Sequence, residues 1–394
     1  MKTSLCLLLG ASLCAPALAE APRIGRYMPL YPGQYLDLDY SMDKGDRSFD
    51  ASGEEQPTAT PALGLNSALP RDTLSASVHW QFPFFESYAL PFVSDRIWLG
   101  RLRLEHVSTQ TRGELATQIE GSDGALRNNG SGIGDMHFEF GTFLLGAPSS
   151  QWREGNSSRI ALQLRLGLRA NFGEYDRDAP TSAGENTPGW HAALGLHARP
   201  WPGGFIDAGL RWSAYAKNQD PAFGALTPTQ RGDSLDADLS LGQRLLPGLY
   251  LSLFATEYAG ERNRYDNVRF TPNPPPDPGP GSDQYPSPGS LYDQGSSLRT
   301  VGAGISWFLS QRIQIGLHYS RPIEGQSGEL DVPYTERSPA GCTVGSVGCT
   351  TRSGDTVRTD AYGPSRISAA DRLSVSLSYH FLERDTFDCR GCSE

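Results

Sequence analysis

The sequence predicts an all-β fold, a transmembrane antiparallel up-and-down β-barrel of about twelve strands with short periplasmic turns and long extracellular loops. Three observations predict it. Segments of about ten residues alternate apolar with polar or small side chains, as a strand does with one face in lipid and one in water. Tight turns and long polar links alternate between those segments. The last such segment ends on an aromatic residue, Phe381. Composition excludes the competing classes. With 38% hydrophobic residues, 44 Gly and 29 Pro in 394 residues, no stretch beyond residue 19 supplies the roughly 20 consecutive apolar residues of a membrane helix. The 16 Tyr, 16 Phe and 7 Trp are too much aromatic surface for a chain disordered throughout. A net charge of −10 carries no basic footprint for nucleic acid.

The first element is a targeting segment. Lys2, the apolar run Leu5 to Leu13 and the small-residue site Ala17-Leu18-Ala19 read as a secretory signal peptide, so the mature chain is expected to begin at Glu20. The organisation is then signal 1–19, outer-membrane barrel 20–381 and periplasmic tail 382–394. Strands are expected at 34–43, 72–83, 96–108, 132–145, 158–173, 188–201, 203–217, 233–246, 248–262, 296–309, 311–322 and 371–381. The fifth shows the reasoning most plainly. Ile160, Leu162, Leu164, Leu166, Leu168, Ala170 and Phe172 fall on one face, and Gln163, Arg165, Gly167, Arg169 and Asn171 on the other. A helix would scatter these arginines and leucines to every side, so the period of two selects a strand. Trp201-Pro202-Gly203, Leu246-Pro247-Gly248 and Ser310-Gln311 are tight turns, and turns of that length lie on the periplasmic side of such barrels.

Aromatic residues mark both ends of the predicted strands. Trp80, Trp98, Trp201 and Trp307 fall near the periplasmic ends, and Phe172, Trp190 and Trp212 near the outer ends, where amphipathic rings settle at the membrane interfaces. In the final strand Leu373, Val375, Leu377, Tyr379 and Phe381 alternate. Tyr379 and Phe381 resemble the terminal signal that outer-membrane barrels present to their assembly machinery, although thirteen residues follow here.

With the leucine faces in lipid, the polar faces line the lumen. The expected lining includes Arg101, Arg103, Glu105, Glu139, Arg165, Arg169, Asp207, Arg211, Asp236, Asp238, Arg244 and Arg312, with Asp37, Asp39 and Arg372 in the same phase. The signs nearly balance, which argues against strong ion selectivity, and about twelve strands enclose a narrow or partly filled bore. His79, His137, His191, His197, His318 and His380 share the inward phase. No pair has a recognised ligand spacing, so neither a metal nor another cofactor is expected. Ser374, Ser376 and Ser378 beside His380 need no catalytic explanation on the wet face of a strand, and the chain is expected not to be an enzyme.

Three outer loops stand out. Residues 44–71 carry Asp46, Asp50, Glu54 and Glu55, and residues 263–295 are rich in proline, which favours extended polyproline conformations. Residues 323–370 hold Cys342 and Cys349, which read as a disulfide in an oxidising compartment. Cys389 and Cys392 in the tail form a CxxC. Such a pair is a redox dithiol, half of a metal site or a plain disulfide, and the lack of a thioredoxin-like context favours the disulfide.

Residues 131–173 carry a family resemblance. Ser131-Gly132-Ile133-Gly134-Asp135 opens a strand, and the next strand ends in Asn171-Phe172-Gly173-Glu174. This resembles the outer-membrane barrels of the meta-pathway phenol-degradation, transporter-like family. The family pattern is Gly-x-Gly-Asp followed by a strand ending in Pro-Thr-Gly, with Asn171-Phe172 standing here for Pro-Thr. Gly132 and Gly134 permit a tight bend at which Asp135 accepts backbone hydrogen bonds. The resemblance spans about 130–320 and implies a porin-like barrel taking up hydrophobic or aromatic compounds.

The function expected is passage or uptake of small molecules across the outer membrane of a Gram-negative bacterium. The alternative is a surface structural or adhesion protein whose barrel anchors the loops, and a third is a lipid-modifying barrel enzyme. Expected partners are outer-membrane lipid and lipopolysaccharide, the barrel-assembly machinery and a small solute, with no nucleic acid and a monomeric state.

Overall fold

A computed structural model describes residues 34–57, 59–60, 65–68, 70–83, 97–110, 112–113, 129–146, 159–175, 183–219, 229–268, 284–286, 289–310, 312–328, 330–336, 352–359 and 367–381. The signal peptide 1–19, the tail 382–394 and all four mature cysteines, Cys342, Cys349, Cys389 and Cys392, lie outside them.

Twelve antiparallel strands close on themselves. They are β1 (Gln34–Asp43), β2 (Arg71–Pro83), β3 (Ile97–Gln110), β4 (Met136–Leu145), β5 (Ile160–Ala170), β6 (Gly189–Ala198), β7 (Gly204–Tyr215), β8 (Ser234–Leu246), β9 (Leu249–Gly260), β10 (Ser296–Phe308), β11 (Ile313–Gln326) and β12 (Arg372–Phe381). Each pairs with its sequence neighbours, and β12 returns to β1 with Gln34 opposite Phe381 and Asp43 opposite Arg372. No edge is left open, which is the condition for a sheet to stand in hydrocarbon.

The alternation decides which way each side chain points. On β5, Gln163 and Arg169 are buried while Leu166 and Leu168 are 57% and 59% exposed. Around the ring, Leu38, Leu74, Val78, Leu104, Phe138, Leu194, Leu210, Leu239, Leu253, Ile305, Leu317 and Val375 stand outward. Polar and charged residues, serine and aspartate foremost, outnumber apolar ones at the buried positions. A soluble fold would show the reverse, so this exterior is lipid-facing and the protein is a multi-pass outer-membrane barrel. Trp98 stacks on Phe140 at 4.9 Å, and Trp190 meets Trp212 edge to face at 4.6 Å, one pair toward each rim.

The tight turns fall where the sequence placed them. Gly203 and Gly248 adopt positive φ, 73° and 77°, and a Cβ on Gly248 would stand 2.7 Å from the Phe308 carbonyl oxygen. The fourth strand departs from expectation. Residues Asn129–Ile133 pair with the outer end of β3, and β4 starts after a break at Gly134-Asp135. There the Gly134 N–H donates to the Glu105 carbonyl at 2.7 Å, leaving Asp135 free of the ladder.

The outer loops are also more built than the expectation of extended, solvated segments. Arg264–Val268, Gln284–Pro286 and Gly289–Asp293 of one loop pair with Leu330–Glu336 and Arg352–Thr359 of another in a five-stranded sheet. Arg47–Phe49, Glu55–Pro57 and Ile367–Ser368 form a smaller sheet against the rim, where buried Phe49 packs with Leu298 and Ala369. Its turn is tied by Asp50, whose carboxylate accepts from the Ser52 and Glu54 N–H groups at 2.9 and 2.8 Å. Burial would raise the Asp50 carboxyl, but these bonds together lower it below the usual carboxylate range.

Candidate functional site

The strand alternation turns a set of ionisable side chains into the outer half of the lumen. From β3 come Arg101, Arg103 and Glu105, and from β4 His137 and Glu139. Arg169 of β5, Arg211 of β7, Arg71 of β2 and Arg372 of β12 join them around a void of about 830 Å³, part of it open to solvent. Asp135, Ala183 and Glu185 line the same void from outside the strands.

Glu139 is the hub of the inner part. Its carboxylate lies 3.1 Å from His191 Nε2, 3.5 Å from Arg165, 3.6 Å from Arg211 and 3.9 Å from Arg101. Arg103 pairs with Glu105 at 2.7 Å. Further out, Arg169 Nη2 reaches both Asp135 and Glu185 at 2.7 Å, and Arg231 Nη1 reaches Glu185 at 2.6 Å. Burial by itself would raise the Glu185 carboxyl, but the Arg169 and Arg231 guanidiniums outweigh it and hold the group at about 2.

The Gly-x-Gly-Asp motif holds a loop into the lumen. Asp135 accepts from the Gly173 N–H at 3.3 Å and the Glu185 N–H at 3.2 Å while it binds Arg169. The Glu174 N–H donates to the Ile133 carbonyl and the Gly184 N–H to the Glu174 carbonyl, at 2.7 and 2.9 Å. Residues 171–175 and 183–188 are thereby drawn against the strand break. The approach needs glycine on both sides, since a Cβ on Gly173 would sit 2.7 Å from Gly184 Cα and one on Gly184 would sit 2.9 Å from Gly173 Cα. A Cβ on Gly132 would meet the Glu174 carboxylate at 2.5 Å.

The structure does not gather all the expected lining residues in one place. Arg101, Arg103, Glu105, Glu139, Arg165, Arg169 and Arg211 cluster as described. Asp207 belongs to the periplasmic end, where it meets buried His197 at 2.6 Å. Asp236 and Asp238 lie opposite Arg211 and Gly209 in register, and Arg244 lies opposite Tyr250. Arg312 is a correction. It is exposed in the turn between β10 and β11, outside both strands, where its carbonyl accepts from the His380 N–H at 2.8 Å. The six histidines expected inside take that phase, and Tyr35 stacks between His79 and His380 at 4.2 and 5.1 Å. Ser374, Ser376 and Ser378 stand opposite Ser41, Asp39 and Asp37. Among the described residues no group of three metal-ligating side chains converges.

Sequence reasoning missed three contributors. Arg71 was placed in the loop, one residue outside the expected start of its strand, although its phase matches Thr73 and Ser75. Glu185 and Arg231 lie in connections, where no periodicity says that a side chain turns inward.

No curated protein sequence matches the chain. Among solved structures, an outer membrane channel from Pseudomonas putida F1 superposes with a TM-score of 0.59 over 92% of this chain and 100% of that one, at 14% identity. The likeness extends to the whole barrel and shows the shared fold. The NanC porin (TM-score 0.37, 8% identity, 87% of this chain and 98% of that one) and a FadL homologue from Pseudomonas aeruginosa (0.34, 11%, 89% and 90%) superpose less well. A family model matches residues 87–272, which include both halves of the glycine motif and the loop it holds. Over those residues the chain is similar to the family described as "Putative MetA-pathway of phenol degradation".

Proposed function

We propose that this barrel passes small molecules across the outer membrane through its lumen. The observation that carries the reading is the wet interior: a closed twelve-strand ring with an apolar exterior encloses ionisable side chains around a solvent-connected void of about 830 Å³. Ionisable groups inside a membrane are costly, and they mark solute pathways far more often than they serve packing. The family description supports aromatic compounds as cargo. In this reading the protein is a monomeric, non-catalytic transporter that contacts lipid and lipopolysaccharide, with Arg101, Arg103, Arg165, Arg169 and Arg211 and their carboxylates along the path. Residues 1–19 are its secretion signal, and Cys342 with Cys349 and Cys389 with Cys392 form disulfides. Intact-mass measurement of the mature protein, with and without reductant, checks both assignments. The transport reading is tested by uptake of labelled phenol and benzoate into vesicles containing the purified barrel. Uptake above that of protein-free vesicles is expected, and equality with them for every solute would overturn it.

A second reading has one observation in its favour. The five-stranded sheet built from the loops at 264–293 and 330–359 supports a display surface carried by the barrel.

A further inference from the structure

We propose that the outer half of the lumen is a binding site for small organic carboxylates, centred on Arg71 and Arg372. The inference rests on the transport reading for its purpose and adds the charge class of the cargo.

Arginine is in excess there. The void is lined by six arginines and four carboxylates, Glu105, Asp135, Glu139 and Glu185. The carboxylates are already committed. Glu139 is shared by Arg101, Arg165, Arg211 and His191, Glu185 by Arg169 and Arg231, and Glu105 is paired with Arg103. Asp43 stands between Arg71 and Arg372 in register, opposite one on each side. Its Oδ1 accepts the Gly45 N–H at 2.8 Å, and the same single carboxylate faces both guanidiniums electrostatically. Arg372 Nη2 donates to Ser41 Oγ at 3.2 Å, while its buried Nε has no hydrogen-bond partner.

One carboxylate shared by two guanidiniums leaves a cation in excess, which in a lumen walled by lipid is unfavourable unless an anion completes it. Two arginines on strands flanking β1 suit a planar carboxylate, which accepts parallel N–H groups from each fork. The remaining wall favours an organic anion over an inorganic one. The lumen faces of β9 to β11 carry Tyr250, Phe254, Tyr258, Leu298, Phe308, Gln314, His318, Pro322 and hydroxyl or glycine positions, and no Asp, Glu, Lys or Arg. The bore therefore offers charge on one side and neutral, partly aromatic surface on the other, matching a carboxylate joined to a ring.

The test uses the protein purified from outer membranes, with benzoate as the probe in equilibrium binding and benzyl alcohol and inorganic phosphate as comparisons. Benzoate is expected to bind at least about tenfold more tightly than benzyl alcohol, and Arg71→Gln with Arg372→Gln to weaken it about tenfold while benzyl alcohol is unaffected. The two single variants, each checked for heat-modifiable gel mobility, give the same direction if the double variant assembles poorly. Equal binding of benzoate and benzyl alcohol, unchanged benzoate affinity in the variants, or displacement of benzoate by equimolar phosphate would each overturn the site. Vesicle uptake separates the two readings. Benzoate binding without uptake of any solute sinks transport and leaves the site, whereas uptake with no carboxylate preference sinks the site and leaves transport.

Discussion

Asp135 joins three elements through one carboxylate: the strand break, the Arg169 guanidinium of β5, and the N–H groups of Gly173 and Glu185. Asp135→Asn keeps the shape and removes the charge, leaving Arg169 with Glu185 alone. Breaking a buried pair costs about 3–5 kcal/mol, and the surviving partner puts this case at the lower end. Urea unfolding in detergent should register that loss, and protease cleavage between residues 173 and 185 should accelerate. An unchanged unfolding midpoint would mean the motif aspartate does not hold the loop. Glu185 makes a pH-dependent claim. The two guanidiniums hold its carboxyl at about 2, below the 4.5 of an ordinary glutamate, so its stabilisation is complete above 4.5 and is lost as pH falls toward 2. Protection of residues 183–188 from hydrogen exchange, corrected for the intrinsic rate, should hold from pH 7 to pH 5 and fail on approach to pH 2. Loss already at pH 5 would contradict the ion pairs to Arg169 and Arg231.

At the scale of the strand, the hydrophobic alternation carries nearly all the information. Each of the twelve strands was legible because lipid and lumen impose opposite chemistry on successive residues, as Leu164, Leu166 and Leu168 against Arg165 and Arg169 show. Less legible were the features alternation does not encode. The break at Gly134-Asp135 interrupts a pattern that reads as continuous, and the inward loop around Glu185 has no period at all. Arg312 was misassigned because a turn residue beside a strand has a formal phase but no wall to belong to. The same alternation makes a sharp prediction at Leu166, which is 57% exposed near the middle of β5. Leu166→Lys should destabilise the barrel by about 2–4 kcal/mol, the depth-dependent cost of a cation at the bilayer midplane. Lysine at Thr256, half-buried on the lumen face of β9 opposite Asp238, should cost less in the same unfolding measurement in lipid vesicles. Equal costs at the two positions would show that the assignment of faces is wrong.

For the whole molecule, composition counted the charges but could not place them. The nearly balanced list of lumen arginines and acids argued against selectivity. In the barrel the arginines of β2, β3, β5, β7 and β12 converge on one void, whereas Asp207 sits by His197 at the periplasmic end and β9 to β11 turn no charged side chain into that void. The loops raise the complementary question of what the barrel is for. The ring closes without them, since β9 and β10 pair along their full length up to Gly260 opposite Ser296. Replacing residues 264–293 by a short Gly-Ser linker should therefore leave assembly intact, because a hairpin connection adds little closure cost beyond the strands it joins. If the lumen is the working part, uptake of small solutes into vesicles should be retained or increased. If the loop sheet is the working part, the variant should keep its barrel and its flux but lose attachment of cells to surfaces. A variant that assembles normally and loses uptake would contradict a path formed by the barrel wall alone.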